Sequence, residues 1–236
     1  MAHLAHYREA HPLPFVITHW INLVAMILLI VTGFCIHFPF WPSFMGIARG
    51  VHIFFGFVLF INCVVRLIMA FFVKSAPTGG TREQVLDYKT WLPQADNRHQ
   101  GVQWIKYYLF LKKDHPLGAK LGVPQKISYL LIPILIIIMF WTGLCLWSVT
   151  ANCAPFLATT NLVGGAMSMR IIHYFMMYVF IIFMFIHIYL ANVEGISPTL
   201  LMFVRKEHGG LVYDPNNHII VGEDDLGHDK KEAAAH

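Results

Sequence analysis

The chain contains little charge. Asp, Glu, Lys and Arg make up 13% of its 236 residues, whereas 57% are hydrophobic. Soluble globular domains carry about 25% charged residues, so this composition excludes an ordinary soluble domain. It also argues against nucleic-acid binding, because the basic residues flank apolar segments. A cleaved signal peptide is not expected, because the first apolar run is long and has no clear small-residue cleavage site.

Cysteine is scarce, with four residues in the chain. There is no Cys-x-x-Cys-His motif, so covalent attachment of a c-type haem is not expected. Cys35, Cys63 and Cys145 lie in or near apolar segments, and Cys153 lies in a connection. Free thiols are the favoured interpretation, with a Cys35–Cys153 disulfide as the alternative. The sequence also lacks an internal repeat with matched signals and a second folded domain.

Long apolar runs are the main feature that is present. A membrane-spanning helix needs about 20 consecutive apolar residues. Runs of this length predict spans over residues 15–37, 51–73, 127–149 and 171–193. The predicted fold is therefore an all-α integral membrane four-helix bundle. It forms a membrane domain over residues 1–195, followed by a polar cytoplasmic tail over residues 196–236.

Basic residues are concentrated between the second and third predicted spans. Residues 74–126 hold nine Lys and Arg, whereas the first and third connections hold one each. By the positive-inside rule, this long loop and both termini are cytoplasmic. Within the loop, the apolar and aromatic residues 102–113 are too short to span and predict an interfacial helix. The outer connection over residues 150–169 is predicted to be a loop, because it contains Pro and two adjacent Gly.

Five of the fourteen histidines lie in or at the edges of the predicted spans, namely His19, His37, His52, His173 and His187. Imidazole is costly in hydrocarbon, so a histidine within the membrane suggests a functional site. The last two lie fourteen residues apart in one segment. At about 1.5 Å per residue, their rings share roughly one helix face and lie about 21 Å apart along the axis.

The predicted topology sorts the histidines by depth. His52 and His173 lie early in spans that run inward, so both belong to the outer level. His19 lies early in a span that runs outward and His187 late in one that runs inward, so both belong to the inner level. Two histidines from facing helices at one depth are the axial arrangement for a six-coordinate b-type haem. The sequence thus predicts two b-type haems with no open iron position, which favours electron transfer.

The alternative is that these histidines form hydrogen bonds between helices. A zinc site is disfavoured, because zinc takes three or four protein ligands and each level supplies two. His37 lies beside Phe38 and Pro39 at the end of the first span. We expect its side chain to be interfacial rather than a ligand.

Arginines and glycines near the histidines suggest further contacts. Arg66 lies at the inner level and is a candidate to neutralise a haem propionate, with a snorkelling arginine as the alternative. Arg49 and Arg170 are the equivalent candidates at the outer level. Gly33 and Gly56 would let a flat macrocycle approach the helices, although close helix packing explains them equally well.

The chain resembles the b-type cytochrome subunit of membrane-bound nickel–iron hydrogenases, within a wider group that includes the cytochrome subunit of respiratory formate dehydrogenases. The matching segments are THWINLVAMILLIVTGFCI (18–36), MGIARGVHIFFGFVLFINCVVRLIMAFF (45–72), HPLG (115–118) with the third span, and MRIIHYFMMYVFIIFMFIHIYLA (169–191). The chain departs from the pattern in one place. The family often has Arg shortly before the His-Trp of the first span, where this chain has PFVIT (14–18).

This resemblance implies a set of roles. It places His19, His52, His173 and His187 at the axial haem positions. It implies an electron-transfer and quinone-reducing subunit of a respiratory oxidoreductase in the inner membrane of a prokaryote. Electrons would come from an outer-face iron–sulfur subunit, whose catalytic subunit handles hydrogen or formate, and would reach menaquinone or ubiquinone near the inner haem. A hetero-oligomer is expected.

The quinone site is the least specific of these expectations. Lys112, Lys113, Asp114 and His115 lie near the inner face and are candidates to line a quinone pocket or its proton path, with a plain basic flank as the alternative. Two other functions remain open. One is the cytochrome subunit of a thiosulfate or polysulfide reductase with reversed electron flow. The other is a haem-free four-helix transporter subunit that uses histidines as proton relays.

Overall fold

Helices dominate the computed structural model, which describes residues 7–77, 83–92, 101–111, 123–192, 196–207, 211–214 and 219–222. In chain order the helices are α1 (Leu13–His37), α2 (Met45–Phe72), α3 (Tyr88–Trp91), α4 (Gly101–Tyr108), α5 (Val123–Leu146), α6 (Ala154–Leu162), α7 (Ala166–Asn192) and α8 (Ser197–Val204). Four of them, α1, α2, α5 and α7, are long and apolar enough to cross a membrane. The predicted all-α membrane fold is confirmed.

The long helices begin earlier than the hydropathy of the sequence predicts. α2 begins at Met45 instead of residue 51, and α7 begins at Ala166 instead of residue 171. Hydropathy marks only the apolar part of a helix, whereas the backbone hydrogen bonds continue through Arg49 and Arg170. α5 also contains Pro133 in its interior, which membrane helices tolerate better than soluble ones because neighbouring groups satisfy the freed carbonyl.

The connection over residues 150–169, which was predicted to be a loop, contains a helix, so that prediction is wrong. α6 occupies its centre, with Pro155 in the first turn and two glycines after its end. Pro is favoured in the first turn of a helix because its missing N–H is not needed there. Gly164 and Gly165 have φ values of +94° and +101°, which glycine adopts readily and which end the helix. The residues that suggested a loop are therefore the residues that bound a helix.

Short elements complete the fold. α4 overlaps the predicted interfacial segment over residues 102–108, buries Trp104 and exposes Val102 and Ile105. The described residues form two antiparallel strand pairs, β1 (Lys74–Ser75) with β2 (Val85–Leu86), and β3 (Leu211–Asp214) with β4 (Ile219–Gly222). α8 and the second strand pair lie in the segment predicted as a polar tail.

The chain divides into two compact units, of which the terminal unit comprises Met1–Val16, Met69–Leu130 and Ile188–His236. Its N-terminal segment is tied to the residues that follow α8: Arg8 Nε donates to the Arg205 carbonyl at 3.0 Å, and the Arg205 guanidinium donates to the His11 carbonyl. Asp87 is fully buried and accepts hydrogen bonds from the Ser75 hydroxyl at 2.6 Å and from the Trp91 indole at 3.0 Å.

The helix unit comprises Ile17–Ile68 and Leu131–His187. Its apolar core is formed by one or two residues from each long helix, namely Ala25, Leu59, Cys63, Ile136 and Phe180. All four cysteines of the chain are free thiols, which agrees with the favoured interpretation of the sequence. The four histidines predicted to bind haem all lie in this unit.

Candidate functional site

His52 of α2 and His173 of α7 face each other within the helix unit. Their ring centres lie 6.3 Å apart, with an angle of 69° between the ring planes. Both side chains are half-buried. The structure therefore brings together the two histidines that the topology assigned to the outer level.

A threonine hydroxyl holds each ring of this pair. Thr32 Oγ1 of α1 lies 2.9 Å from His52 Nδ1, and Thr142 Oγ1 of α5 lies 2.8 Å from His173 Nδ1. Both threonines are buried. In each case the long helix that precedes the histidine helix in the chain supplies the hydroxyl, so the two halves of the site are built alike.

A glycine follows each threonine and lies against the same ring. A Cβ atom at Gly33 would lie 3.5 Å from His52 Cε1, and a Cβ atom at Gly143 would lie 3.4 Å from His173 Cε1. These are ordinary van der Waals distances, so the space between each glycine and its ring would just accommodate a Cβ atom. A longer side chain at either position would occupy the space next to the imidazole. Gly56 differs, because a Cβ atom there would meet nothing within 4 Å.

His19 of α1 and His187 of α7 form the second pair. Their ring centres lie 6.0 Å apart, with 47° between the ring planes. His187 also stacks on Phe183 with ring centres 5.8 Å apart. His19 is half-buried, whereas His187 is exposed. The Nδ1 atom of His19 is buried and has no hydrogen-bond partner in the part of the chain that the structure describes.

An asparagine pair lies beside His19 and joins α1 to α2. Asn62 is buried, and its amide donates to the Thr18 carbonyl at 2.7 Å and to Asn22 Oδ1 at 2.6 Å. Hydrogen bonds between membrane helices hold them in register because no water competes for the polar groups. The position of His19 is thus set by α2 as well as by its own helix.

Both ring separations fit two imidazoles that share one metal atom. A metal–imidazole bond is about 2.0 Å and a ring centre lies about 1.1 Å from its nitrogen, so axial partners have centres about 6.2 Å apart. The observed values of 6.3 and 6.0 Å agree with this. Across the described ranges, no group of three or more His, Cys, Asp or Glu suits another metal ion. The two pairs therefore fit the donor sets of two b-type haems, which would be held by His52 with His173 and by His19 with His187.

The remaining predicted residues are less closely tied to the pairs. Arg49 and Arg170 lie in the first turns of their helices and are exposed, and Arg66 is half-buried, so their propionate contacts stay predictions. The ring of His37 stacks on Tyr174 with centres 3.7 Å apart and planes 3° from parallel. Tyr174 in turn shares a hydrogen bond of 2.7 Å with the hydroxyl of Tyr178. His37 thus has an aromatic partner outside both pairs.

The candidate quinone residues, Lys112, Lys113, Asp114 and His115, lie outside the described residues. Their assignment therefore stays a prediction.

Three residues of the site were missed from the sequence, namely Thr32, Thr142 and Gly143, whereas Gly33 was predicted to lie beside a macrocycle. A signal for them exists. The pattern Thr-Gly-x-Cys occurs at residues 32–35 of α1 and again at residues 142–145 of α5. Each copy lies in the long helix that precedes a histidine helix of the His52–His173 pair. This four-residue repeat was not recognised from the sequence, and it corresponds to the two-sided construction of the site.

Comparison with known families identifies a match over most of the chain. A family model for prokaryotic cytochrome b561 matches residues 10–205, which include all four long helices. A comparison with curated proteins found no match to the chain. The chain therefore belongs to the prokaryotic cytochrome b561 family, and the resemblance to a hydrogenase-type cytochrome b subunit is confirmed. It is a multi-pass membrane protein of a family of b-type cytochromes.

Proposed function

We propose that this member of the prokaryotic cytochrome b561 family binds two b-type haems and relays electrons from an outer-face iron–sulfur subunit to the quinone pool. The catalytic subunit of that partner would be a hydrogenase or a formate dehydrogenase. The observation that carries the proposal is the presence of two histidine pairs whose ring centres lie 6.3 and 6.0 Å apart. Each pair would supply the two imidazole ligands of a six-coordinate b-type haem.

The four histidines would hold the haems through their ring nitrogens, His52 with His173 and His19 with His187. A haem bound in this way supplies a one-electron carrier whose iron has no open position for a substrate. α7 contributes one ligand to each site, fourteen residues apart, which is about 21 Å along a helix. The side chains of this chain therefore fix both the position of each carrier and the distance between them.

Exposed apolar residues support an outer docking surface for the partner. Phe40 and Trp41 lie in the connection between α1 and α2, and Leu162 and Met167 lie around the end of α6. Their side chains are between 68% and 87% exposed. Large apolar patches of this kind are typical of protein or membrane contacts. We place the iron–sulfur subunit against these connections, next to the His52–His173 pair.

Quinone reduction is assigned to the His19–His187 end. Reduction of one quinone to its quinol takes two electrons and two protons. With both termini cytoplasmic, the protons come from the cytoplasmic side while electrons move inward, which generates a membrane potential. Two observations support electron transfer to a lipid-soluble quinone at this pair. His187 is exposed, and His19 Nδ1 has no hydrogen-bond partner among the described residues.

A haem count tests the proposal directly. The dithionite-reduced spectrum of the purified wild-type protein should show b-type haem at two per chain. His187→Ala should retain one haem and lose quinone reduction, because one axial ligand is gone. His37→Ala is the matched control, since its ring stacks on Tyr174 outside both pairs, and it should retain two. A wild-type protein without haem would refute the proposal and favour the transporter alternative.

The identity of the donor needs a separate experiment. Purification from native membranes in mild detergent should recover an iron–sulfur subunit together with a hydrogenase or formate dehydrogenase catalytic subunit. Substitution of both Phe40 and Trp41 by Ser should reduce this recovery without lowering the haem content. Recovery of a thiosulfate or polysulfide reductase subunit would replace the proposed donor and reverse the direction of electron flow.

A further inference from the structure

We infer that Thr32 and Thr142 are positioning residues, which fix the tautomers of His52 and His173 so that Nε2 of each ring is the metal-binding atom. The inference rests on the proposed function, because it assigns these hydroxyls a role toward a bound haem. It follows from the number of hydrogen atoms that each hydroxyl group can donate. A threonine hydroxyl has a single hydrogen to donate and two lone pairs to accept.

The hydroxyl group of Thr32 donates its hydrogen to the backbone of its own helix. Thr32 Oγ1 lies 2.6 Å from the Leu28 carbonyl oxygen, which has no hydrogen of its own to offer. This contact requires that the hydroxyl donates there. The same oxygen lies 2.9 Å from His52 Nδ1, so at the histidine the hydroxyl must accept. His52 Nδ1 therefore carries the ring hydrogen, and Nε2 carries the lone pair.

The second half of the site repeats this arrangement. Thr142 Oγ1 donates to the Met139 carbonyl at 2.9 Å and lies 2.8 Å from His173 Nδ1. The hydroxyl again has no second hydrogen, so His173 Nδ1 donates to it. Both rings are thus held as the tautomer that binds a metal through Nε2, as the second contact of a ligating histidine usually ensures.

The glycines leave room beside each ring. Cε1 is the ring atom between Nδ1 and Nε2, and a Cβ atom at Gly33 or Gly143 would lie 3.5 or 3.4 Å from it, which is ordinary van der Waals contact. The hydrogen bond at Nδ1 is therefore the contact that orients each ring. A side chain larger than that of alanine at either glycine would compete with the ring for this space.

A hydrogen bond from Nδ1–H raises the basicity of the opposite nitrogen. A more basic axial ligand stabilises ferric iron over ferrous iron and lowers the reduction potential. The other pair lacks this support at His19, whose Nδ1 has no hydrogen-bond partner in the described ranges. We therefore expect the hydroxyls to affect the haem at the His52–His173 pair and to leave the other haem unchanged.

The experiment is a redox titration of the purified holoprotein. Thr32→Val and Thr142→Val remove the hydroxyl and keep the branched shape, and Thr32→Ser and Thr142→Ser keep the hydroxyl. Each valine variant should move one titration wave to higher potential, leave the second wave in place, and change the low-spin ferric electron paramagnetic resonance signal. Each serine variant should return both properties to the wild-type values.

Thr159→Val is the matched control. The Thr159 hydroxyl also donates to a carbonyl one turn back, that of Pro155 at 2.7 Å. Within the described residues its other hydrogen-bond partner is the Trp141 indole at 3.3 Å rather than a histidine. This variant should leave both waves in place. If Thr32→Val and Thr142→Val both show the two titration waves at the potentials of the wild-type protein, the inference is overturned.

Loss of one haem also has a defined meaning. If a valine variant loses one haem and the matching serine variant retains two, the hydroxyl is required and the inference stands. If the valine and serine variants lose it equally, the site needs the threonine methyl and the inference fails. A wild-type protein that binds no haem would refute the proposed function itself, so the two failures are distinguishable.

Discussion

The two histidine pairs carry the same donor atoms in different surroundings. At the His52–His173 pair, both Nδ1 atoms are hydrogen-bonded to threonines. At the other pair, His19 Nδ1 is buried without a hydrogen-bond partner in the described part of the chain and His187 is exposed. The first site is therefore organised by the protein before any ligand binds. The second is more open and more dependent on what occupies it.

This difference is consistent with an electron-transfer protein whose two sites exchange electrons with different partners. A rigid site with fixed ligands needs little rearrangement when its oxidation state changes, which favours rapid exchange of electrons with a docked protein. An open site admits a reactant from the lipid phase. The asymmetry thus supports the proposed order, in which the donor meets the His52–His173 pair and quinone meets the His19–His187 pair.

The largest expected effect comes from removing one ligand of each pair. His52→Ala and His19→Ala should each retain a single haem, because each substitution destroys one axial site. The surviving haems should differ in reduction potential, since their surroundings differ. Redox titration of the two variants measures this. Survival of the same wave in both variants would mean that the histidines do not pair as the structure shows.

A smaller but selective effect is expected from filling the space beside a ring. Gly143→Leu places a side chain where even a Cβ atom lies 3.4 Å from His173 Cε1. The amount of haem bound at the His52–His173 pair should fall, while the amount bound at the other pair should stay the same. Gly46→Leu on α2 is the control, because a Cβ atom there meets nothing within 4 Å. Haem content per chain and the remaining titration wave report the result, and equal losses in both variants would contradict it.

A moderate loss of stability is expected at the other pair. Asn62→Leu removes the hydrogen bonds to Thr18 and Asn22. Interhelical hydrogen bonds in membranes contribute about 0.6–2 kcal/mol, so the unfolding temperature in detergent should fall by a few degrees. The wave of the His19–His187 haem should shift more than the other. Asn161→Leu on the exposed side of α6 should cause neither change.

The smallest effect is expected outside both pairs. Arg8 Nε lies 3.8 Å from Glu207 Oε1, with 59% and 32% of the two side chains exposed. Exposed ion pairs contribute about 0–1 kcal/mol. Glu207→Gln should therefore leave the haem content and both waves unchanged and lower the unfolding temperature little. A shift of either wave would show that the pairs respond to distant charges, which would weaken the local explanation of their difference.

The histidine pairs were predictable from the sequence because burial of an imidazole in hydrocarbon is costly wherever it occurs. The residue type alone therefore indicates a functional position. Once four spans and their directions are assigned, depth alone couples His52 to His173 and His19 to His187. The structure brings both pairs together without further assumption. Their role as haem ligands stays a prediction that haem counts will test.

The supporting residues were not predicted, for two physical reasons. A threonine in a membrane helix ordinarily bonds to its own backbone, so Thr32 and Thr142 give no individual signal, and only the repeated Thr-Gly-x-Cys pattern distinguishes them. The helix α6 was missed because Pro155 and the glycines after it suggest a break, although the same residue types start and end helices. Which partners a side chain meets across helices depends on helix rotation, which hydropathy does not reveal.

The placement of His173 and His187 on α7 has a consequence for biogenesis. α7 is the last of the four candidate spans to be synthesised, and it holds one member of each pair. Neither pair exists until this final span has entered the membrane. A nascent chain that has inserted only three spans offers single histidines and no complete pair, so under the proposed function haem loading would follow completion of the membrane domain.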